Sequence, residues 1–334
     1  MPLPLIAGHE GAGIVQRIGS KVDHISVGDH VLLSFSSCGS CAPCQKGYPA
    51  YCTAVFALNF KGSRLDNTKA FTIDGKELSS HFFGQSSFAS IAIARASSAI
   101  KVDSNLPLQT LCALGCSMQT GSGTVLNVLK PTLGSSVVVF GAGAVGMGAI
   151  MAANLTPVKR IIAVDIQESK LEKAREFGAT HSINSSSPDF VEQIRNLTDG
   201  FGAEYAIDTT GKIPVIRAMI DCAAPGGLVA TVGSPPFGET IDIEPASWLA
   251  RGVSYIGVHQ GSSTPQTVCN NRATIRNILL IFSLIQFIPQ LIEFWKMGRF
   301  PVEKLIKTYT YTDIQEAKND LQHGICVKAV LLWD

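Results

Sequence analysis

At 334 residues, with 46% hydrophobic and 16% charged side chains, the chain has the size of two ordinary domains and the composition of a well-buried α/β protein. That composition excludes a disordered chain, and a formal net charge of +1 without a basic stripe argues against nucleic acid or an anionic membrane surface as partner. The N-terminal residues carry no basic segment and no apolar stretch of signal-peptide length, and the longest apolar run, 278–288, is interrupted by Ser283 and Gln286 and is too short to cross a bilayer.

In chain order, the first candidate site is Gly8-His9-Glu10-Gly11, ahead of an expected strand at Gly13-Ile-Val-Gln-Arg-Ile18. A neutral imidazole in a glycine-rich turn can present a ring nitrogen to a metal, with the neighbouring carboxylate close behind. An isolated His in such a turn is more often a hydrogen-bonded structural residue. Next comes Cys38-Gly-Ser-Cys41-Ala-Pro-Cys44, then seven residues, then Cys52. Four thiolates so spaced can surround one tetrahedral Zn2+ and leave no position for water, which defines a structural rather than a catalytic metal site. Two local disulfides and an iron–sulfur cluster are the alternatives. The remaining cysteines, Cys112, Cys116, Cys222, Cys269 and Cys326, show no disulfide framework, so a reducing, cytoplasmic setting is expected. Cys116 falls where the chain is expected to leave its first domain; by itself it reads as a buried apolar thiol.

From about Leu133 the pattern changes. Val137-Val-Val-Phe140 reads as a buried parallel strand and runs into Gly141-Ala-Gly143-Ala-Val-Gly146 and an apolar helix ending near Ala153. A second strand, Ile161-Ile-Ala-Val164, ends at Asp165, 22 residues after Gly143. In this strand–turn–helix context the first glycine permits the tight turn, the second lets the backbone approach a pyrophosphate, and the third lets helix and strand pack closely. Asp165 can accept from the adenosine ribose hydroxyls and would repel a 2′-phosphate, so NAD is expected over NADP. Helices at 169–177, 188–197 and 214–223 alternate with strands within 178–184 and at 205–208, 228–232 and 255–258. That alternation predicts a doubly wound parallel sheet.

Gly8-His9-Glu10, Val27-Gly28-Asp29-His30-Val31, the four-cysteine lobe, Gly115-Cys116 with Thr120-Gly121, and the nucleotide fingerprint ending at Asp165 together resemble the zinc-containing medium-chain alcohol dehydrogenases. Phe83-Gly-Gln-Ser-Ser-Phe88 and the stretch Tyr51-Cys52-Thr-Ala-Val-Phe56 look most similar to the aryl-alcohol (benzyl-alcohol) branch. The resemblance implies a Rossmann doubly wound sheet plus a GroES-like β-rich catalytic domain. The expected divisions are 1–117 for the catalytic domain, 118–259 for the NAD-binding domain and 260–334 for a return to the first. It implies His9 and Cys116 as ligands of a catalytic zinc, Glu10 as its close neighbour and occasional ligand, and Cys38, Cys41, Cys44 and Cys52 as ligands of a structural zinc. Thr120 and Val145 are expected against the nicotinamide, and Gly141, Gly143, Gly146, Asp165 and Lys170 on the rest of NAD. The implied reaction passes hydride from a primary, aromatic alcohol to NAD+, giving the aldehyde. The implied partners are a small-molecule alcohol or aldehyde and further copies of the chain, as a dimer or tetramer. A zinc- or NAD-binding remnant without turnover and a zinc-free quinone-type reductase are the competing readings.

Two departures from the family pattern carry their own expectations. The family's earliest metal motif, Cys-His-Ser/Thr-Asp, has no counterpart in the eight residues ahead of His9. Met1 is therefore expected to be an internal methionine of a longer protein, with the start of the GroES-like domain missing and the catalytic zinc weakly retained. Residues 267–286 interrupt the family pattern; a translated intron is expected there, and a lid or interface helix is the alternative.

Overall fold

The computed structural model describes residues 1–265 and 286–333. Of the interruption at 267–286, all but Gln286 lies outside the described residues. Its strands, in chain order, are β1 (Ala12–Ile14), β2 (His30–Leu33), β3 (Phe71–Ile73), β4 (Lys76–Leu78), β5 (Ala99–Val102), β6 (Ser136–Phe140), β7 (Arg160–Asp165), β8 (His181–Asn184), β9 (Ala203–Asp208), β10 (Ala223–Thr231), β11 (Ser254–Gly257), β12 (Ile306–Thr310) and β13 (Lys328–Leu332). They divide between two compact units. One comprises Met1–Cys116, Ser263–Asn319 and Lys328–Asp334; the other comprises Ser117–Ser262 and Asp320–Val327.

The first unit is β-rich. β2 is the central strand of an antiparallel sheet ordered β1-β2-β5, and Val31, Leu32 and Leu33 are all buried on it. The expected strand from Gly13 to Ile18 is shorter than the sequence suggested. Beyond Ile14 only Val15 still bonds across, to Asp29 and Gly28, because the partner strand begins at His30 after the Gly28 turn. β3 and β4 form a hairpin, and β12 and β13 pair in parallel. One apolar cluster gathers Ile25, Val31, Leu33 and Ala99; a second gathers Phe35, Ala50 and Phe83, with Phe60, Phe82 and Cys116 packed on it.

In the second unit every strand pair is parallel, in the order β8-β7-β6-β9-β10-β11. Parallel strands are covered by helices on both faces and so are apolar throughout, as Val137, Val138 and Val139, fully buried, illustrate. Starting at β6 the chain winds outward through β7 and β8, then returns to β9 on the other side of β6. This is the doubly wound order 3-2-1-4-5-6, and its switch point lies between β6 and β9, where ligands of such sheets bind beyond the carboxyl ends of the strands. Among the described residues no helix is long and apolar enough to cross a membrane.

Candidate active site

The four-cysteine lobe is built almost wholly from local chain. Pro43 opens the short helix Ala42–Gln45, and Pro49 opens the turn Pro49–Tyr51 that delivers Cys52. The ligand sulfurs of Cys38, Cys41, Cys44 and Cys52 all lie within 4.8 Å of one another, and Cys41 and Cys52 are 3.9 Å apart. Tetrahedral zinc with bonds of about 2.3 Å to sulfur needs sulfur–sulfur separations of about 3.8 Å, so the residues fit the ion. Backbone N–H groups already aim at the sulfurs. Ser40 and Cys41 donate to Cys38 at 3.4 and 3.3 Å, and Cys38 and Ala54 donate to Cys52 at 3.3 and 3.4 Å. The N–H groups of Cys44 and Thr53 draw the Cys41 thiol down to about 6, whereas burial pushes Cys44 up to about 12. Such a mixed set of thiols becomes four thiolates only when a cation supplies the compensating charge.

His9 lies in the other apolar cluster of the same unit. Its ring is tilted over Phe83 at a centroid distance of 4.7 Å and meets Phe82 edge-on at 5.4 Å. Phe60 completes the aromatic wall, T-shaped to Phe83 at 5.1 Å. Cys116 packs on the same cluster. It is brought there because Gly115 lies flat against β2, where a Cβ would stand 2.2 Å from the Leu33 carbonyl oxygen, and because the Ser34 hydroxyl donates to the Gly115 carbonyl at 2.7 Å. Burial, and then the positive charge of Lys328, hold the His9 imidazole down to about 4, so its ring is neutral near pH 7 with a lone pair available to a metal.

Glu10 is turned elsewhere. Its carboxylate is ion-paired with Lys328 at the start of β13, the two side chains being only 11% and 15% exposed. Burial draws Lys328 down to about 8, which still leaves it charged at neutral pH. Among the described residues the four cysteines are the one group of three or more His, Cys, Asp or Glu whose ligand atoms converge within 4.8 Å. His9 and Cys116 therefore fit as metal donors on one aromatic wall, whereas Glu10, held by Lys328, does not close on them as a third. Neither Lys328 nor the placement of Phe82 was legible beforehand: Lys328 is 318 residues from its partner and carries no local signal.

In the second unit the glycine fingerprint follows β6. Gly141 has φ +90, and a Cβ on Gly146 would stand 1.8 Å from the Gly141 carbonyl oxygen; Gly143 faces open space, the room a pyrophosphate needs. Gly143 caps helix Ala144–Ala153, whose first N–H groups point toward that space. Asp165, at the end of β7, accepts from the Ala142 N–H at 2.7 Å and the Gln167 N–H at 3.0 Å. It thus ties the glycine turn to the second strand, and further lone pairs remain for ribose hydroxyls. Lys170 is half-buried near the start of helix Glu168–Glu176. Helix Ser117–Gly123 packs on the fingerprint helix so closely that a Cβ on Gly121 would stand 1.9 Å from the Val145 carbonyl. Thr120, on that helix, is buried and its hydroxyl has no hydrogen-bond partner among the described residues. A buried hydroxyl left in that condition suits a ligand that supplies the missing partner. These residues fit a dinucleotide.

The alcohol dehydrogenase GroES-like domain family matches residues 1–104, and the zinc-binding dehydrogenase family matches residues 144–274. The chain is 36% identical to a geraniol dehydrogenase of Castellaniella defragrans, over all of this chain and 84% of that protein. The crystal structure of an alcohol dehydrogenase zinc-binding domain protein from Burkholderia ambifaria superposes with a TM-score of 0.90 at 43% identity, covering 100% of this chain and 85% of that one. The structure of benzyl alcohol dehydrogenase from Acinetobacter calcoaceticus does so with a TM-score of 0.88 at 38% identity, covering 99% and 84%. The chain belongs to the zinc-containing medium-chain alcohol dehydrogenase family. It is an oxidoreductase of alcohols with zinc and NAD as its cofactors, and the doubly wound sheet and β-rich unit expected from the sequence are those of that family.

Proposed function

We propose that this dehydrogenase oxidises a primary alcohol whose side chain is aromatic or comparably flat and apolar, with His9 and Cys116 as donors to the catalytic metal. The observation that carries the reading is one aromatic cluster, Phe35 and Phe83 with Phe60 and Phe82 packed on it: Phe82 and Phe83 meet the His9 ring, and Cys116 packs on the same cluster. Aromatic rings stack or meet edge-to-face with worthwhile gain, about 0.5–1.5 kcal/mol per pair beyond the area buried, and a short aliphatic alcohol forgoes it. Relatives named for benzyl alcohol and for geraniol support the same class.

When bound, zinc supplies Lewis acidity at the alcohol oxygen and NAD+ accepts the hydride. The chain's own residues prepare for that chemistry. The neutral His9 ring and the Cys116 thiol offer donors, and the phenylalanines exclude water beside them. Lys328 neutralises the Glu10 carboxylate beside His9. In the second unit, Gly141, Gly143 and Gly146 with Val145 and Lys170 are proposed to hold the dinucleotide, Asp165 its ribose, and Thr120 its nicotinamide end. β11 ends the sheet with Ile256 exposed, which supports self-association along that edge. A cytoplasmic setting, in which thiols stay reduced, is proposed.

The test pairs metal analysis with turnover. In buffer with excess zinc, two zinc ions per chain are expected, the second held less tightly than the lobe zinc because only two donors face it, together with a kcat/KM for benzyl alcohol about tenfold or more above that for ethanol, a ratio of about 1.4 kcal/mol. Equal kcat/KM for the two alcohols would remove the aromatic assignment, and a single zinc per chain would remove the His9–Cys116 metal assignment.

A further inference from the structure

The segment that carries His9 is not held by its own secondary structure. Residues 6–11 belong to no strand or helix, β1 beginning only at Ala12, and Gly8 has φ +89. What holds them is the loop after the aromatic pair. Along residues 85–88 the contacts run in step. The Ser86 hydroxyl donates to the Ile6 carbonyl at 2.7 Å, the Phe88 N–H to the Ala7 carbonyl at 3.0 Å, and the Ser87 N–H to the Gly8 carbonyl at 3.0 Å. The side chain of Gln85 then takes over from the backbone. Its amide nitrogen donates to the His9 carbonyl at 3.0 Å and to the Ser34 carbonyl at 3.3 Å, and its oxygen accepts from the Gly11 N–H at 2.9 Å. Gln85 is 1% exposed, so these bonds are shielded from water.

The same loop is conformationally costly. His81, Phe83 and Ser86 are all left-handed, with φ of +66, +52 and +49, a region a bulky residue such as Phe seldom enters. The strain is met by a closed set of bonds. The Gly84 N–H donates to the His81 carbonyl at 2.7 Å, and the Ser86 hydroxyl accepts from the Phe82 N–H at 2.9 Å while donating to Ile6. The left-handed turn points Phe82 and Phe83 at the His9 ring while Gln85 grips the backbone on both sides of Glu10.

We propose that Gln85 is a positioning residue that clamps the His9–Gly11 turn onto the Phe82–Phe88 loop, so that the His9 donor and the aromatic wall are set as one rigid piece. The proposal rests on the reading of His9 as a metal donor for its catalytic consequence, but not for the clamp itself. Its sequence signal is slight: a glutamine after Phe-Phe-Gly, whose use is decided only by which carbonyls lie beside it. Because the clamp reaches Ser34 on one side and the Gly8–Gly11 turn on the other, loosening it should blur the geometry of the site more than its affinity for alcohol.

Hydrogen–deuterium exchange on the whole chain, with metal analysis and kinetics, tests this. In Gln85→Met, a near-isostere without the donors or the amide oxygen, the one N–H of residues 6–11 that Gln85 holds, that of Gly11, should exchange about tenfold faster or more, with β5 unchanged. The affinity of the chelator-accessible zinc, as distinct from the lobe zinc, should fall about 10–100-fold. kcat for benzyl alcohol should fall with KM little altered. Gln85→Glu keeps an acceptor for Gly11 but no donor for His9, so it should restore protection at Gly11 alone. Leu305→Ala, a core truncation in the Val302–Leu305 turn of the same unit, controls for general loosening and should leave the ratio of exchange at 6–11 to that in β5 unchanged. Exchange at 6–11 that does not respond to Gln85→Met, or responds equally to Leu305→Ala, overturns the clamp. Faster exchange with unchanged zinc affinity and kcat overturns its positioning role. Should Gln85→Met fail to accumulate, Gln85→Glu decides: protection kept at Gly11 with zinc affinity and kcat lowered supports the clamp, and unchanged zinc affinity and kcat overturn it. A wild-type chain holding only the lobe zinc would refute the metal reading of His9, while the exchange data would still judge the clamp.

Discussion

The cysteine lobe and the His9 turn share the first unit and are built in opposite ways. The cysteine lobe draws all four of its ligands from residues 38–52, and its turns are shaped by Pro43, Pro49 and the glycine between the first two ligands. The His9 turn draws on residues 9, 10, 34, 85, 116 and 328, and no two neighbouring in sequence do the same job. The lobe is a local object closed by an ion; the turn is a tertiary object closed by a buried amide, an ion pair and three aromatic rings. A lobe of the first kind fails all at once when a ligand or its ion is lost. A site of the second kind has parts that can be removed one at a time, each with a distinct signature.

The largest effect is expected at the lobe. Cys52→Ser should abolish its tight zinc and cost on the order of 5 kcal/mol or more, read as loss of one zinc per chain together with a large fall in melting temperature. A variant that lost the zinc yet melted like wild type would show that the lobe does not depend on its ion. At the turn, Lys328→Met removes the cation paired with the largely buried Glu10 carboxylate and should cost about 3 kcal/mol in denaturant unfolding. Adding Glu10→Gln should recover most of that loss; a single-variant cost below about 1 kcal/mol would place the pair with ordinary surface ion pairs.

The nucleotide cradle sharpens the comparison, because its motif is local but its glycines have different duties. Gly146→Val drives a side chain into the Gly141 carbonyl and should cost about 1–3 kcal/mol of stability as well as NADH binding. Gly143→Ala meets nothing in the protein, so it should leave unfolding almost unchanged and weaken NADH in a fluorescence titration. Equal destabilisation by both would mean that Gly143 serves the fold rather than the ligand. The smallest effect is expected for Asp165→Asn, which keeps a side-chain oxygen for one of the two backbone N–H groups, gives up the other and removes the charge. The NADP-to-NAD ratio of kcat/KM should rise about tenfold, on the order of 1.4 kcal/mol, and a ratio that did not move would take the ribose role from Asp165.

How far such residues were legible follows the same division. The fingerprint announced its strand, turn, helix and terminal acid because each glycine answers a contact within a few residues, and the structure shows Gly141, Gly143 and Gly146 in those three conditions. The expected strand at Gly13–Ile18 stopped at Ile14, because a strand lasts only as long as its partner, and β2 lies beyond the reach of a local pattern. Lys328 could not be found from sequence: a lysine at the head of a strand acquires its meaning only when β13 is laid beside the turn holding Glu10. Gln85 stood inside a stretch recognised by resemblance, but nothing in its neighbours told which backbone groups it would satisfy.

Taken alone, then, the amino-acid order determined the family, the doubly wound sheet, the cysteine lobe and the dinucleotide turn. Those features are encoded by periodicity, by glycines with short-range steric duties and by ligands spaced a few residues apart. Tertiary structure decided that Glu10 is spoken for by Lys328, that His9 and Cys116 share one aromatic wall, and that a buried glutamine holds the His9 turn to it. The physical reason is that pairing of buried charges and satisfaction of buried carbonyls are properties of neighbours in space, and a sequence lists neighbours only along the chain.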